Sequence, residues 1–137
     1  MKTFFVDGKK SPFAKVLCDI GGGELVVSTF GVNKQEVFKL FQCFKKITVI
    51  VDSSVTQRND NKSIKILSMF AKTSNKLTLK TLGRSHHKMA IIDKKWFIIT
   101  SANLQKNRSS EFYMISDYQN IDGADDIFNY LKSAEDL

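Results

Sequence analysis

Residues 24 to 30, ELVVSTF, are mostly apolar and β-branched behind the glycine run at 21 to 23, and predict a buried strand. The period then changes. Val37, Leu40, Phe41 and Phe44 recur at helical spacing behind Asn33, a residue able to cap, and predict an amphipathic helix over residues 34 to 46. ITVIVDSS, starting at Ile47, reads as a second core strand. Strand, helix and strand in that order predict parallel strands joined by a right-handed crossover. The polar TQRNDNKS predicts a loop, and Ile64, Ile66, Leu67 and Phe70 in the following IKILSMFAK predict another helix. Residues 76 to 82, KLTLKTL, alternate as a short strand that Gly83 ends. Residues 86 to 93 and 95 to 102 are two further apolar segments meeting at Asp93, Lys94 and Lys95, the pattern of a tight hairpin. EFYMIS predicts a last strand, and ADDIFNYLKSAEDL a closing helix with acids in its first turn. No repeat, low-complexity segment or linker interrupts the series, so residues 1 to 137 are expected to form one α/β domain.

Composition adds limits. At 137 residues, 42% hydrophobic and 26% charged, the chain is long enough for a single core and unlike a disordered one. No window approaches the roughly 18 uncharged apolar residues of a membrane span, so a soluble protein without a membrane partner is expected. The start, MKTFFVDGKKSPF, carries Asp7, Lys9 and Lys10 before any long apolar region and is not read as a secretory signal. Cys18 and Cys43 lack the spacing of a disulfide framework or a zinc site, which predicts small buried thiols and a reducing, cytoplasmic location. The formal charge of +7 is unevenly spread: residues 1 to 116 hold 20 Lys and Arg against 8 acids, whereas residues 117 to 137 hold one Lys against 6 acids. A basic body of this kind suits a polyanion, because neutralising phosphates releases condensed counterions. A solvated lysine-rich surface is the plainer alternative.

Both histidines of the chain lie in SHHKMAIIDKKWFIITSAN, residues 85 to 103. Successive side chains of a strand point to opposite faces. His86 and Lys88 therefore look one way, while His87, Met89 and Ile91 look the other, and only one imidazole joins Lys88. The same parity sets Ser101 beside Asn103. A hairpin in this register would gather an imidazole, an ammonium, a hydroxyl and a carboxamide at one end of the sheet. Such a group supplies the donors and charge that a phosphoryl centre needs, together with a side chain able to attack or to shuttle a proton near neutral pH. Opposite-facing histidines do not readily share a metal ion, and no carboxylate cluster or HExxH spacing is present, so no metal or other cofactor is expected.

His86, Lys88, Asp93, Ser101 and Asn103 match the HxK(x)4D(x)6(G/S/T)SxN signature of the phospholipase D superfamily, the HKD enzymes, at every spacing. The chain resembles that family over residues 86 to 103, and more loosely in its order of elements from residue 24 onward. The resemblance implies a phospholipase D-like fold, a mixed β-sheet flanked by helices with one HKD motif. Thr100 stands where the family usually has glycine, a departure that bears on how closely backbone can approach a phosphate. The family tends to carry a carboxylate downstream of the asparagine. Glu111 is the candidate, as a residue orienting an imidazole, against the plainer reading of a solvated glutamate at the start of a strand. The stretch SANLQKNRSSEFYMIS is also similar to small phage-type members of the superfamily.

What the resemblance implies is metal-independent phosphodiester hydrolysis. A complete site has two motifs, one histidine attacking phosphorus and the other protonating the leaving oxygen. With a single motif here, the expected solution is a homodimer that sets two His86 side chains across one phosphate; a second motif from a different protein is the alternative. Lys88, Ser101 and Asn103 would stabilise the transition state, and Asp93 would mainly hold the hairpin turn. Small size and basic charge favour DNA or RNA over lipid as substrate. Arg84, Lys94, Lys95, Lys106 and Arg108 are the candidate nucleic-acid-binding residues, and Arg58, Lys62, Lys65 and Lys80 also flank the motif in sequence. Phe30, Trp96 and Phe112 could stack on bases, although core packing is the better expectation for each. Two rival readings stay open: a catalytically silent module that grips nucleic-acid phosphate, and a structural or partner-binding domain.

Overall fold

Glycines at residues 21 to 23 let the chain turn sharply into a run of apolar residues that is buried along almost its whole length. That run is β2 (Glu24–Thr29), and it lies at the centre of one eight-stranded sheet. The computed structural model describes residues 2–56, 62–83, 85–107 and 109–137. Its elements follow in the order β1 (Lys2–Asp7), α1 (Phe13–Ile20), β2, α2 (Lys34–Leu40), β3 (Lys46–Asp52), α3 (Ser53–Thr56), α4 (Lys62–Thr73), β4 (Leu77–Leu82), β5 (Met89–Ile92), β6 (Trp96–Thr100), β7 (Ser110–Asp117), α5 (Ala124–Lys132) and β8 (Glu135–Asp136). Strand order across the sheet is β1-β7-β6-β5-β2-β3-β4-β8. Strands β2, β3 and β4 run parallel, as the strand–helix–strand pattern predicts; every other pairing is antiparallel. The fold is a mixed α/β sheet flanked by helices.

Strands β2 and β3 are nearly continuous apolar runs because both faces of the sheet are covered. On one face α1, α2 and α4 pack Phe13, Leu17, Val37, Leu40, Ile64 and Leu67 onto Leu25, Val27, Val49 and Ile98. On the other, Ala124 and Leu131 of α5 meet Val26, Ile50, Ile91 and Phe97. Each large side chain so buried contributes roughly 1.5–3 kcal/mol. Among the described residues no helix is long and apolar enough to cross a membrane.

Several elements depart from the expectations. The helix predicted over 34 to 46 stops at Leu40, and the chain turns so that the N–H groups of Lys45 and Lys46 both reach the Gly23 carbonyl at the start of β2. The closing helix ends at Lys132, and Glu135–Asp136 adds a short antiparallel edge to β4. Strand β5 begins at Met89 rather than at residue 86, so the histidines precede the ladder. Strand β1 and helix α1 were not predicted. Helix α1 starts behind Pro12 and ends at Gly21, and it buries Phe13, Val16 and Leu17 at helical spacing. It also carries Cys18 to the end of α2, where Cys18 and Cys43 form a disulfide with Cα atoms 5.3 Å apart. This corrects the reading of two separate buried thiols. The loop predicted from the polar stretch after α3 falls largely on residues 57 to 61, outside the described residues.

Candidate functional site

The carboxyl ends of parallel strands are where α/β sheets present ligand-binding loops. Here the ends of β2 and β3 open beside the start of β5, which runs antiparallel to β2 with Ser28 opposite Met89. His86 is exposed at this edge, its ring stacked on Phe30 at a centroid distance of 4.8 Å and an interplanar angle of 12°. Next to Phe30, the Gly31 N–H donates to Asn103 Oδ1 at 3.0 Å. The Thr29 hydroxyl donates to the Gly31 carbonyl at 2.7 Å and accepts from the Leu104 N–H at 2.9 Å, fastening the end of β2 to the segment after β6. Two consecutive residues, Phe30 and Gly31, thus hold the His86 ring and the Asn103 amide together. With Oδ1 occupied, the Asn103 Nδ2 donors have no hydrogen-bond partner among the described residues.

Lys88 lies two residues beyond His86, its carbonyl accepting from the Thr100 N–H at 3.1 Å. Lys88 is half-buried, and its ammonium makes no ion pair or hydrogen bond among the described residues. An imidazole, an ammonium and an amide donor thus have no hydrogen-bond partner among the described residues, and groups of this kind can receive an anion.

The other imidazole goes elsewhere, as the face parity predicts. His87 Nδ1 is 2.9 Å from the hydroxyl of buried Ser28, and its ring meets Tyr130 of α5 edge-on. Desolvation holds the His87 pKa below its usual 6.5, with the His86 charge adding to the effect and Asp52 opposing it. Asp52, at the end of β3, is a residue that the sequence did not single out. Its carboxylate accepts from the Ser85 and Ser54 N–H groups and from the Ser54 hydroxyl, tying the segment just before His86 to the sheet. Burial works against the charge on Asp52, but the Ser54 and Ser85 hydrogen bonds and the nearby His86 outweigh it and keep the pKa below 3.8. An aspartate directly after a buried β-branched run is the signal that could have found it.

Ser101 and Glu111 form a unit of their own. The Ser101 hydroxyl donates to Glu111 Oε2 and accepts from the Phe112 N–H at 3.0 Å. Glu111, expected to orient an imidazole, is held on the serine across the β6–β7 connection. Thr100, in the place of the family's glycine, is turned inward. It is 5% exposed, its hydroxyl donating to the Phe112 carbonyl at 2.8 Å and accepting from the Ala102 N–H at 3.0 Å. Its side chain therefore leaves the edge open.

Three of the expected positions lie at the opposite end of the hairpin. Asp93 and Lys94 turn the chain with φ values of 54° and 50°, and seven residues of extended chain separate residue 93 from His86 by roughly 20 Å. Asp93 accepts from the Glu24 N–H at 2.7 Å and the Gly23 N–H at 2.9 Å, and these bonds hold its pKa below 3.8. A Cβ on Gly22 would fall 2.6 Å from Asp93 Oδ2, at a φ of 151° that only glycine takes readily, so the glycine run exists to admit this carboxylate. Asp93 thus holds the turn. Lys94 sits over the Phe128 ring at 4.5 Å and Lys95 over Trp96 at 5.8 Å, and neither is beside His86. Lys106 is exposed on the segment after Asn103. Arg58, Arg84 and Arg108 lie outside the described residues. Of the aromatic candidates, Trp96 packs against the helical core and Phe112 against Phe5, and Phe30 alone reaches the His86 edge. Among the described residues no group of three His, Cys, Asp or Glu side chains is placed to hold a metal ion.

Similarity to known proteins agrees with this geometry. The chain's fold is similar to that of NucT from Helicobacter pylori, at 15% identity and a TM-score of 0.73 over 99% of both chains. It is also similar to Nuc from Salmonella typhimurium, described as a phospholipase D family member, at 13% identity and a TM-score of 0.66, over 99% of this chain and 97% of that one. An archaeal chromatin protein, TrmBL2, shares the fold at 19% identity and a TM-score of 0.65, over all of this chain and 54% of its own. No curated protein sequence matches the chain. The family profile described as "Cardiolipin synthase, PLD-like domain" matches residues 39–119, more than half of the sequence and the whole of the HKD motif. The chain belongs to the phospholipase D-like family.

Proposed function

We propose that the protein is a metal-independent phosphodiesterase, a nuclease that hydrolyses DNA or RNA through a covalent phosphohistidine in a site shared by two copies of the chain. The observation that carries this reading is the pairing of Phe30 with His86 and of Gly31 with Asn103, which holds the imidazole and the amide on two consecutive residues. In the first step a His86 ring nitrogen attacks phosphorus and the P–O bond to the leaving strand breaks. The second subunit's imidazole gives its proton to that oxygen. In the second step the same imidazole takes a proton from water, whose oxygen displaces His86 from phosphorus. Lys88 and the Asn103 Nδ2 group offset the charge that builds on the equatorial oxygens. Ser101, held by Glu111, positions the β6–β7 edge of the same pocket.

Two features support the shared site. Only one imidazole per chain is directed to this edge, since His87 is engaged by Ser28 on the other side. The sheet also carries an apolar row beyond the reach of α5: Phe5 is 75% exposed and pairs across the strands with Phe112, while Met114 lies opposite Ile99. A relative in fold described as an archaeal chromatin protein that binds DNA, together with the +7 charge, favours nucleic acid as the substrate. The test is cleavage of labelled single- and double-stranded DNA and RNA in EDTA. Wild type should cut at least one of them, and His86→Ala should retain binding while losing at least about 10³-fold in turnover. Cleavage that needs added Mg²⁺, or that survives in His86→Ala, would refute the proposal.

A further inference from the structure

Beside the motif lies a cleft of about 360 Å³ between the turn after β1 and the first turns of α2, lined by Lys9, Pro12, Glu36, Lys39, Lys106 and Asn107. Glu36 is out of place there. It is 1% exposed; Oε2 accepts from the Lys39 ammonium at 2.7 Å, and Oε1 is buried with no hydrogen-bond partner among the described residues. A buried carboxylate oxygen left unpaired is an acceptor that folding has not satisfied. Lys39 itself is 57% exposed at its side chain, so its ammonium can swing outward and expose the carboxylate to the cleft. Lys9 and Lys106 are exposed at the rim, which makes the cleft cationic around a recessed acceptor.

The cleft is wired to the motif. Asn107, 7% exposed, donates through Nδ2 to the Asn103 carbonyl at 3.0 Å and accepts on Oδ1 from the Asn103 N–H at 3.3 Å. A ligand in the cleft therefore touches the residue that holds the main chain of Asn103. The ligand that fits carries an anion for the lysines, a planar apolar face for the Pro12 ring and an N–H donor for the carboxylate. A nucleotide has all three, and carboxylates accept from base N–H groups in nucleic-acid recognition.

We propose that this cleft binds one nucleotide of the strand next to the scissile phosphate, with Glu36 accepting from the base and Lys9 and Lys106 holding a phosphate. This rests on the nuclease reading for its role, but the binding can be measured without cleavage. Calorimetric titration of cytidine 5′-monophosphate and of ribose 5-phosphate into the full chain at low salt separates base from phosphate. Expected are tighter binding of the cytidine nucleotide, a loss of about tenfold in its affinity in Glu36→Ala, unchanged ribose 5-phosphate affinity in that variant, and weaker binding of both ligands in Lys106→Ala. If Glu36→Ala does not fold, the side-chain amide signals of Asn107 in wild-type NMR spectra decide, since they should shift with the cytidine nucleotide and far less with ribose 5-phosphate. Equal affinity for the two ligands, or Asn107 signals that do not respond to the nucleotide, overturns the proposal. His86→Ala should keep the nucleotide affinity. Nucleotide binding with no cleavage by wild type would defeat the nuclease reading and leave the cleft assignment standing.

Discussion

Asp52 and Asp93 fasten the two ends of the segment that carries His86, and both do so by accepting backbone N–H groups as carboxylates. Their folded pKa values are held below 3.8, so the unfolded chain binds protons more readily than the folded one. Their stabilisation is complete above the unfolded value and is lost as pH falls through the depressed folded values. His87 acts in the same direction at higher pH. Its folded pKa lies below 6.5, so acidification from neutrality first favours the unfolded state, which takes up that proton. Urea midpoints measured between pH 7 and pH 3 should fall in two stages, one below about pH 6.5 and one below about pH 4. His87→Gln should remove the first stage and leave the second; a midpoint independent of pH would contradict these assignments. At this scale the separation of the two imidazoles was legible from residue spacing, since His86 stacks on Phe30 while His87 meets Ser28 and Tyr130. The Glu111–Ser101 bond was not. It depends on how β7 registers against the end of β6, which no local pattern encodes.

Among the elements, the strands and helices from residue 24 onward follow from hydrophobic period, since a buried parallel strand and an amphipathic helix leave different spacings in sequence. The N-terminal elements were missed for a physical reason. Strand β1 is an edge strand with four of its six residues exposed, and α1 has only eight residues, so neither leaves a long periodic signal. Missing α1 concealed the disulfide, because only the packing of α1 on α2 brings Cys18 to Cys43. The bridge closes a loop of 25 residues, for which loss of unfolded-chain entropy predicts about 3.5 kcal/mol of stabilisation. Denaturation with and without dithiothreitol, set beside the paired variant Cys18→Ala, Cys43→Ala, measures it. Reduced protein and variant should unfold at matching, lower denaturant concentrations, and oxidised and reduced midpoints that coincide would exclude a contribution from the bridge.

For the whole molecule, the decisive feature is that one chain offers one imidazole to the open edge of the sheet while the proposed chemistry needs two. The exposed Phe5 and the half-buried Phe112 and Met114 beside it give a second copy apolar surface to cover. Light scattering should report a dimer for wild type. Phe5→Glu should shift it toward monomer and lower cleavage by about tenfold or more, as the second imidazole is lost. A monomeric wild type with full activity would remove the need for a shared site. The charge distribution belongs to this scale as well, since 20 of the 21 basic residues precede residue 117 and the acids of α5 sit on the far face from α1, α2 and α4.

The covalent intermediate is the most direct test of the account. Wild-type protein mixed with oligonucleotides labelled at either end, in EDTA, and quenched in alkaline denaturant within milliseconds to seconds should yield a labelled adduct. Mass spectrometry should locate it on the imidazole of His86, and it should be absent from His86→Ala. Active protein that never forms an adduct, or forms it on another residue, would contradict the account.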